Sequence, residues 1–227
     1  MRSHSASRRG LRSLGSVVLL GAMSVAFVPA APPAVAAMSD PGAPAATALP
    51  AIATGGSHTC ALLAAGVVQC WGLNSSGQLG NNTLTTPQKT PTPVTGLSGV
   101  TAIAAGGNHA CALLADGTVK CWGANASGQL GNNTLTTPQK TPTAVTGLAG
   151  VTAITAGASH TCALLGGGTV KCWGLNSSGH LGNNSLVNSK VPVAVSSLAG
   201  VTAITAGNSH SCALLAAGTA KCWGANT

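Results

Sequence analysis

Histidine and cysteine, the residues of this sequence best suited to chemistry, recur together at a period of about 51 residues. Each histidine stands two residues before a cysteine, and a second cysteine follows ten residues later with a tryptophan directly after it. The sets are His58, Cys60, Cys70 and Trp71; His109, Cys111, Cys121 and Trp122; His160, Cys162, Cys172 and Trp173; and His210, Cys212, Cys222 and Trp223. Imidazole and thiolate bind zinc, whereas two cysteines by themselves can form a disulfide. Each repeat therefore predicts either a metal site or a crosslink.

The spacing of the cysteines favours the crosslink. Nine residues separate the two cysteines of a repeat, whereas zinc sites pair cysteines about two to four residues apart, and no fourth ligand recurs here. An even number of cysteines in an exported chain is typical of a disulfide framework. We therefore expect no metal and no cofactor, with zinc as the alternative. The predicted disulfides are Cys60–Cys70, Cys111–Cys121, Cys162–Cys172 and Cys212–Cys222.

Acidic residues are almost absent, which argues against catalysis. The 227 residues contain two aspartates, Asp40 and Asp116, and no glutamate. Acid–base chemistry with paired carboxylates and the Ser-His-Asp relay both need a carboxylate that the fold positions. We therefore predict that the protein is not an enzyme.

The repeat is predicted to be a β unit of four short strands. Residues 100–104, 109–114 and 118–122 form the first three strands, and the fourth lies near residues 142–146. The second and third strands are joined by a three-residue turn that ends in glycine, which is typical of a hairpin. That hairpin places Cys111 directly opposite Cys121, close enough for a disulfide.

A period near fifty residues with four short strands is typical of a propeller blade. We therefore predict an all-β fold, a β-propeller of four-stranded blades present as an incomplete arc of about three and a half repeats. The recurring tryptophans are interpreted as core between blades, and each histidine as a structural donor to a nearby carbonyl. The predicted repeats span residues 51–100, 101–150, 151–200 and 201–227.

Residues 1–37 are predicted to be an export signal. The four arginines lie within the first twelve residues, an apolar run follows, and Ala34 and Ala36 form a small-residue cleavage site. Arg8 and Arg9 also resemble a twin-arginine signal, and a membrane anchor is the alternative because the run is just long enough to span a bilayer. Residues 38–50 are an Ala/Pro-rich spacer. We expect a secreted or cell-surface protein with no membrane span once the signal is removed.

Half of the net charge belongs to the predicted signal. Removing its four arginines from the formal charge of +8 leaves +4, carried by six lysines and two aspartates. The lysines form two series, which either contact an anionic surface polymer or solvate the blades. Because arginine, the preferred residue for phosphate, is absent beyond residue 12, nucleic acid is an unlikely partner. The series are Lys89, Lys140 and Lys190, and Lys120, Lys171 and Lys221.

Three segments of each repeat carry a family resemblance. Residues 106–113, 117–123 and 125–131 contain Gly-x-x-His-x-Cys-Ala-Leu, Gly-x-Val-x-Cys-Trp-Gly and Asn-x-x-Gly-Gln-Leu-Gly. This pattern resembles the regulator of chromosome condensation repeat, and its paired cysteines resemble exported bacterial members. The resemblance implies a seven-bladed propeller, so a chain of this length is expected to be a fragment or a half-ring that self-associates.

The resemblance also implies functions. Eukaryotic members act as guanine-nucleotide exchange factors on a small GTPase and bind chromatin, and a secreted bacterial propeller inhibits β-lactamase. An export signal removes a protein from nucleotides and chromosomes, and the four equivalent tryptophans offer no aromatic anchors gathered on one face. We therefore expect an exported, non-enzymatic scaffold that binds an unknown protein or a surface polymer. The other two functions are the alternatives.

Overall fold

A computed structural model describes residues 50–225 of the chain, which form fifteen β-strands in four antiparallel sheets. The predicted signal, its cleavage residues Ala34 and Ala36, and the spacer up to residue 49 lie outside the described residues. Within the described range, no helix has both the length and the apolarity needed to cross a bilayer.

Each sheet is one blade whose strands lie side by side in chain order. The first blade holds β1 (Ala51–Thr54), β2 (His58–Leu62), β3 (Val68–Gly72) and β4 (Gln88–Pro93), with a 3-10 turn at Ala64–Gly66. The second holds β5 (Val100–Ala105), β6 (His109–Leu114), β7 (Val119–Gly123) and β8 (Gln139–Ala144). The third holds β9 (Val151–Ala156), β10 (His160–Leu165), β11 (Val170–Gly174) and β12 (Ser189–Ala194). The described part of the fourth holds β13 (Val201–Ala206), β14 (His210–Leu215) and β15 (Ala220–Gly224).

The hairpin between the second and third strands of each blade sets the register. In the second blade the Leu114 amide donates to the Thr118 carbonyl at 2.9 Å, and Gly117 adopts a φ of 76° that favours glycine. The exposed Asp116 carboxylate accepts hydrogen bonds from the Thr118 hydroxyl and amide, which lower its pKa. The turn chemistry thus aligns the strands over their whole length.

The fourth strand begins earlier than the sequence predicts. In the second blade it runs from Gln139 to Ala144, rather than near residues 142–146. It pairs with β7 through an irregular register, with Cys121 opposite Thr143 and Gly123 opposite Gln139. This strand lies at the edge of the sheet, where a proline such as Pro142 is tolerated. Its sequence therefore lacks the alternation of apolar and polar residues that marks a central strand.

The hydrophobic core lies between consecutive blades. Leu62, Val68 and Leu79 of the first blade pack with Ala112 and Trp122 of the second. The same arrangement recurs between the second and third blades and between the third and fourth. Each blade therefore buries its faces against its neighbours, which is how repeat proteins are stabilised.

Candidate functional site

The two cysteines of each repeat form a disulfide across the central hairpin. Cys111 lies opposite Cys121 in the strand register, with their Cα atoms 4.1 Å apart, and both side chains are fully buried. The expected pairing is confirmed in all four blades: Cys60–Cys70, Cys111–Cys121, Cys162–Cys172 and Cys212–Cys222.

These crosslinks exclude the alternative of a thiolate zinc site. Zinc binds the deprotonated thiol, and all eight cysteines of the chain are oxidised. Among residues 50–225, no group of three or more His, Cys, Asp or Glu side chains is arranged to hold a metal. The recurring histidine therefore has another role.

Two of the repeated histidines, His109 and His160, bond to hydroxyls of the following blade rather than to the expected carbonyls. His109 Nε2 lies 2.9 Å from Thr161 Oγ1 of the next blade, and His160 Nε2 lies 2.8 Å from Ser211 Oγ. Thr161 donates its single hydroxyl proton to the Gln129 carbonyl, so we assign the donated proton of the first pair to His109 Nε2. The ring of His109 thus links two blades.

Burial keeps these imidazoles neutral. His109 and His160 have no exposed surface, and His58 is 3% exposed. Removal from water lowers the pKa of His58 and His160 to about 4 and that of His109 to about 3. The neutral form of each ring therefore predominates near neutral pH.

The first pair of blades lacks this hydrogen bond. Ala110 stands where the third and fourth blades carry Thr161 and Ser211. Both ring nitrogens of His58 are buried without a partner among the described residues. Because this hydroxyl is missing, the interface between the first two blades has one hydrogen bond fewer than the other two interfaces.

Ala110→Ser is expected to stabilise the protein by about 1 kcal/mol, the typical net value of one hydrogen bond. The new hydroxyl faces His58 in the place that Ser211 occupies opposite His160. The change is measured as the free energy of urea unfolding, followed by tryptophan fluorescence. The matched variant Thr161→Ala should lower that free energy by about 1–3 kcal/mol, because it leaves buried His109 unpartnered. Loss of stability in Ala110→Ser would contradict the assignment.

The repeated tryptophans join each blade to the one before it. The indole N–H of Trp122 donates to the Gln78 carbonyl at 2.9 Å, and Trp173 and Trp223 make the equivalent bonds to Gln129 and His180. Trp122 and Trp173 are fully buried, whereas Trp71 and Trp223, in the first and fourth blades, are half-buried. His210 is exposed in the same fourth blade.

A buried asparagine organises the long loop of each complete blade, and sequence reasoning did not single it out. The Asn74 amide group donates to Asn81 Oδ1 and to the Thr83 carbonyl, while its Oδ1 accepts from the Leu79 amide at 3.0 Å. Its recurrence at the repeat period was the available signal. The equivalent residues, Asn125 and Asn176, are also fully buried and make the same set of bonds.

The differences of the third blade preserve these loop contacts. Asn188 Oδ1 accepts a hydrogen bond from the backbone N–H of Asn176. In the first blade, Thr86 Oγ1 accepts the equivalent bond from the backbone N–H of Asn74. His180 replaces a glutamine, and its Nδ1 lies 3.4 Å from the Ser178 amide, the group that the glutamine oxygen contacts in the other blades. Burial lowers the pKa of His180, consistent with an acceptor nitrogen. These substitutions maintain the blade and define no separate site.

A groove of about 690 Å³ lies beside β15, between the third and fourth blades. A β-carbon placed on Gly77 or Gly128 would contact the fourth strand of the following blade, whereas one placed on Gly179, at the same position in the third blade, would meet no atom within 4 Å. The groove thus corresponds to the position that a fourth strand fills in the other blades.

Consecutive antiparallel blades, with an apolar cluster between each blade and the next, define an arc of a β-propeller. The Regulator of chromosome condensation (RCC1) repeat matches residues 65–113, 116–164 and 167–214, and a second profile of that repeat matches residues 51–78, 100–129 and 151–179. The chain belongs to the RCC1 repeat family, which confirms the resemblance and the fold expected from the sequence.

Curated and solved relatives agree with this assignment. The chain is 39% identical over 127 residues to the mitochondrial RCC1 domain-containing protein RUG3 of Arabidopsis thaliana, covering 54% of this chain and 28% of that protein. It is 37% identical over 138 residues to human HERC4, a probable E3 ubiquitin-protein ligase, covering 59% of this chain and 13% of that protein. Both matches span only a minor part of the relative.

Two solved propellers superpose on most of the described arc. Human WBSCR16 is 29% identical with a TM-score of 0.70, over 78% of this chain and 48% of that one. Prp20p of Saccharomyces cerevisiae, studied for its binding to Gsp1p and histones, is 27% identical with a TM-score of 0.67, over 77% of this chain and 44% of that one. The chain therefore spans about half the length of these propellers.

Proposed function

We propose that this protein is an exported scaffold that binds another protein and performs no chemistry of its own. The observation that carries the proposal is the set of three long loops, each held in shape by a buried asparagine and presented at the same end of its blade. Ordered loops on a rigid framework are a common basis for recognition. The similar yeast propeller Prp20p, with its binding to Gsp1p and histones, supports protein as the class of partner.

The residues that could do chemistry are used in the framework. The cysteines are oxidised, and the buried His109 and His160 form hydrogen bonds with the following blade. Asp116, the one carboxylate side chain among residues 50–225, is exposed at a hairpin turn. The ligase activity in the name of HERC4 belongs to a protein of which this chain covers 13%.

Export rests on two observations. The first is the basic and apolar pattern of residues 1–37 with Ala34 and Ala36 at its end. The second is the presence of four disulfides, which persist in oxidising compartments and are rare in the cytosol. Cell fractionation and the intact mass of the recovered protein test the proposal. We expect protein in the envelope or medium that begins at Ala37 or Met38, and full-length cytosolic protein would contradict it.

Capture tests the binding function. The purified full chain is immobilised and exposed to the envelope and secreted proteins of its source, with reduced and alkylated chain as the control. We expect proteins that are retained by the oxidised chain and lost from the control. Capture by neither form would contradict the proposal, as would stimulated release of labelled guanine nucleotide from a small GTPase, the activity that the family resemblance offers as the alternative.

A further inference from the structure

The long loops, residues 73–87, 124–138 and 175–188, each expose an aliphatic side chain at the same place. Leu84, Leu135 and Leu186 are 42%, 56% and 66% exposed, and Val187 beside the last of them is 73% exposed. Of the other exposed aliphatic residues, Leu63 and Val67 flank the 3-10 turn of the first blade, and Ile52 and Leu214 lie on the outward faces of the first and fourth blades, with no further described blade against them. Leu84 and Leu135 lie within the arc and have no such reason, whereas Leu186 also borders the groove beside β15.

The loops form one continuous surface along the arc. The Asn82 amide donates to the Lys140 carbonyl of the next blade at 3.0 Å, and the Asn133 amide donates to the Lys190 carbonyl at 3.0 Å. Leu84 and Leu135 follow these asparagines by two residues. Each of the two leucines therefore stands near the chain segment that carries an exposed lysine of the following blade.

The charge of this surface has one sign. Lys89, Lys140 and Lys190 are exposed at the start of the fourth strands, at the end of the blade where the long loops lie. Asp116 lies in the turn between the second and third strands, at the other end of its blade. Within the described residues, no carboxylate side chain accompanies the loop lysines.

We propose that the loop surface, made of the three long loops and these three lysines, binds an acidic protein segment whose aliphatic side chains contact the loop leucines. Carboxylates complement the lysines, and apolar contacts at successive blades favour an extended segment that follows the arc. The proposal deepens the scaffold function, on which it rests, by naming the surface and the chemistry of its partner.

Other occupants fit the surface less well. Nucleic acid gains nothing from exposed leucines, and the surface has no arginine or aromatic side chain for phosphate or bases. A bilayer favours a continuous apolar patch, whereas polar threonine and asparagine separate the leucines. A second copy of residues 50–225 offers Asp116 as its single carboxylate side chain. An acidic polypeptide satisfies both the apolar and the cationic features.

Fluorescence anisotropy with a labelled Glu/Leu copolymer peptide tests the proposal on the full oxidised chain. We expect saturable binding that weakens with salt, no binding of a Lys/Leu peptide of the same length, and weaker binding of poly-Glu. Combining Leu84→Ser, Leu135→Ser and Leu186→Ser should weaken binding by about tenfold or more. Combining Lys89→Gln, Lys140→Gln and Lys190→Gln should weaken it to a similar extent.

The second lysine series provides a matched control of equal charge. The combined variant Lys120→Gln, Lys171→Gln and Lys221→Gln alters positions on the third strands and should leave binding nearly unchanged. Equal losses from both lysine series would overturn the proposal, as would tighter binding of duplex DNA or anionic vesicles, or no binding of the Glu/Leu peptide. If the capture experiment succeeds and is unaffected by the leucine variant, the scaffold function stands and the loop surface is wrong.

Discussion

Replacing Cys111 and Cys121 together with alanine is expected to lower the free energy of unfolding by about 3 kcal/mol or more. The disulfide closes a loop between residues ten positions apart, which restricts the unfolded chain. Both side chains are also fully buried among apolar neighbours, so their truncation leaves a cavity. Urea unfolding followed by tryptophan fluorescence measures the loss.

The fourth blade offers the matched comparison. Cys212 and Cys222 close a loop of the same length, but Cys222 is exposed and Cys212 is half-buried. Their replacement by alanine should therefore lower the free energy of unfolding by less. Both disulfides restrict the unfolded chain equally, but only the loss of Cys111 and Cys121 leaves a buried cavity. Equal losses at the two sites would show that packing around the disulfide adds nothing, and free thiols in the oxidised protein would contradict the crosslinks.

Acid is expected to destabilise the protein between about pH 6.5 and pH 4 through its buried histidines. An unfolded histidine binds a proton below a pKa of about 6.5, whereas burial lowers the folded pKa of His58 and His160 to about 4 and of His109 to about 3. The unfolded state thus holds more protons in this window. The histidine contribution to the free energy of unfolding is fully present above this window. It decreases as the pH is lowered, by up to about 1.4 kcal/mol per pH unit for each histidine.

The pH dependence is measured from urea unfolding at a series of pH values. Carboxylates, the usual source of acid unfolding, number only two in the chain, so the histidines should dominate the slope. His109→Gln removes one of four rings whose pKa burial lowers and should reduce the slope by about a quarter to a third, provided that its spectrum at pH 7.5 matches that of the parent. A midpoint that stays constant from pH 7 to pH 5 would contradict the burial of these rings.

Local chemistry explains why much of the fold was predictable. The three-residue turn with its final glycine aligns the second and third strands, and this alignment alone places Cys111 opposite Cys121. The fourth strand was predicted less well, because its bulged pairing and its proline leave no regular alternation in the sequence.

The site residues show the same division. The recurring histidine was identifiable from its period, but its hydroxyl partner lies in another blade, 52 residues from His109. Asn74 was visible as part of a motif, yet its role depends on burial against three loop groups. The exposure of Leu84 was also not predictable, since an isolated leucine in a sequence is expected in the core.

The amino-acid sequence by itself determined the repeat, the β class, the hairpin register and the disulfides, because the period is visible in the residue types and the other three depend on contacts within a single blade. Only the tertiary structure decided which hydroxyl meets each histidine, which carbonyl receives each tryptophan, and which leucines face water. Those outcomes depend on how one blade is rotated against the next, and that rotation arises from the packing of two repeats together.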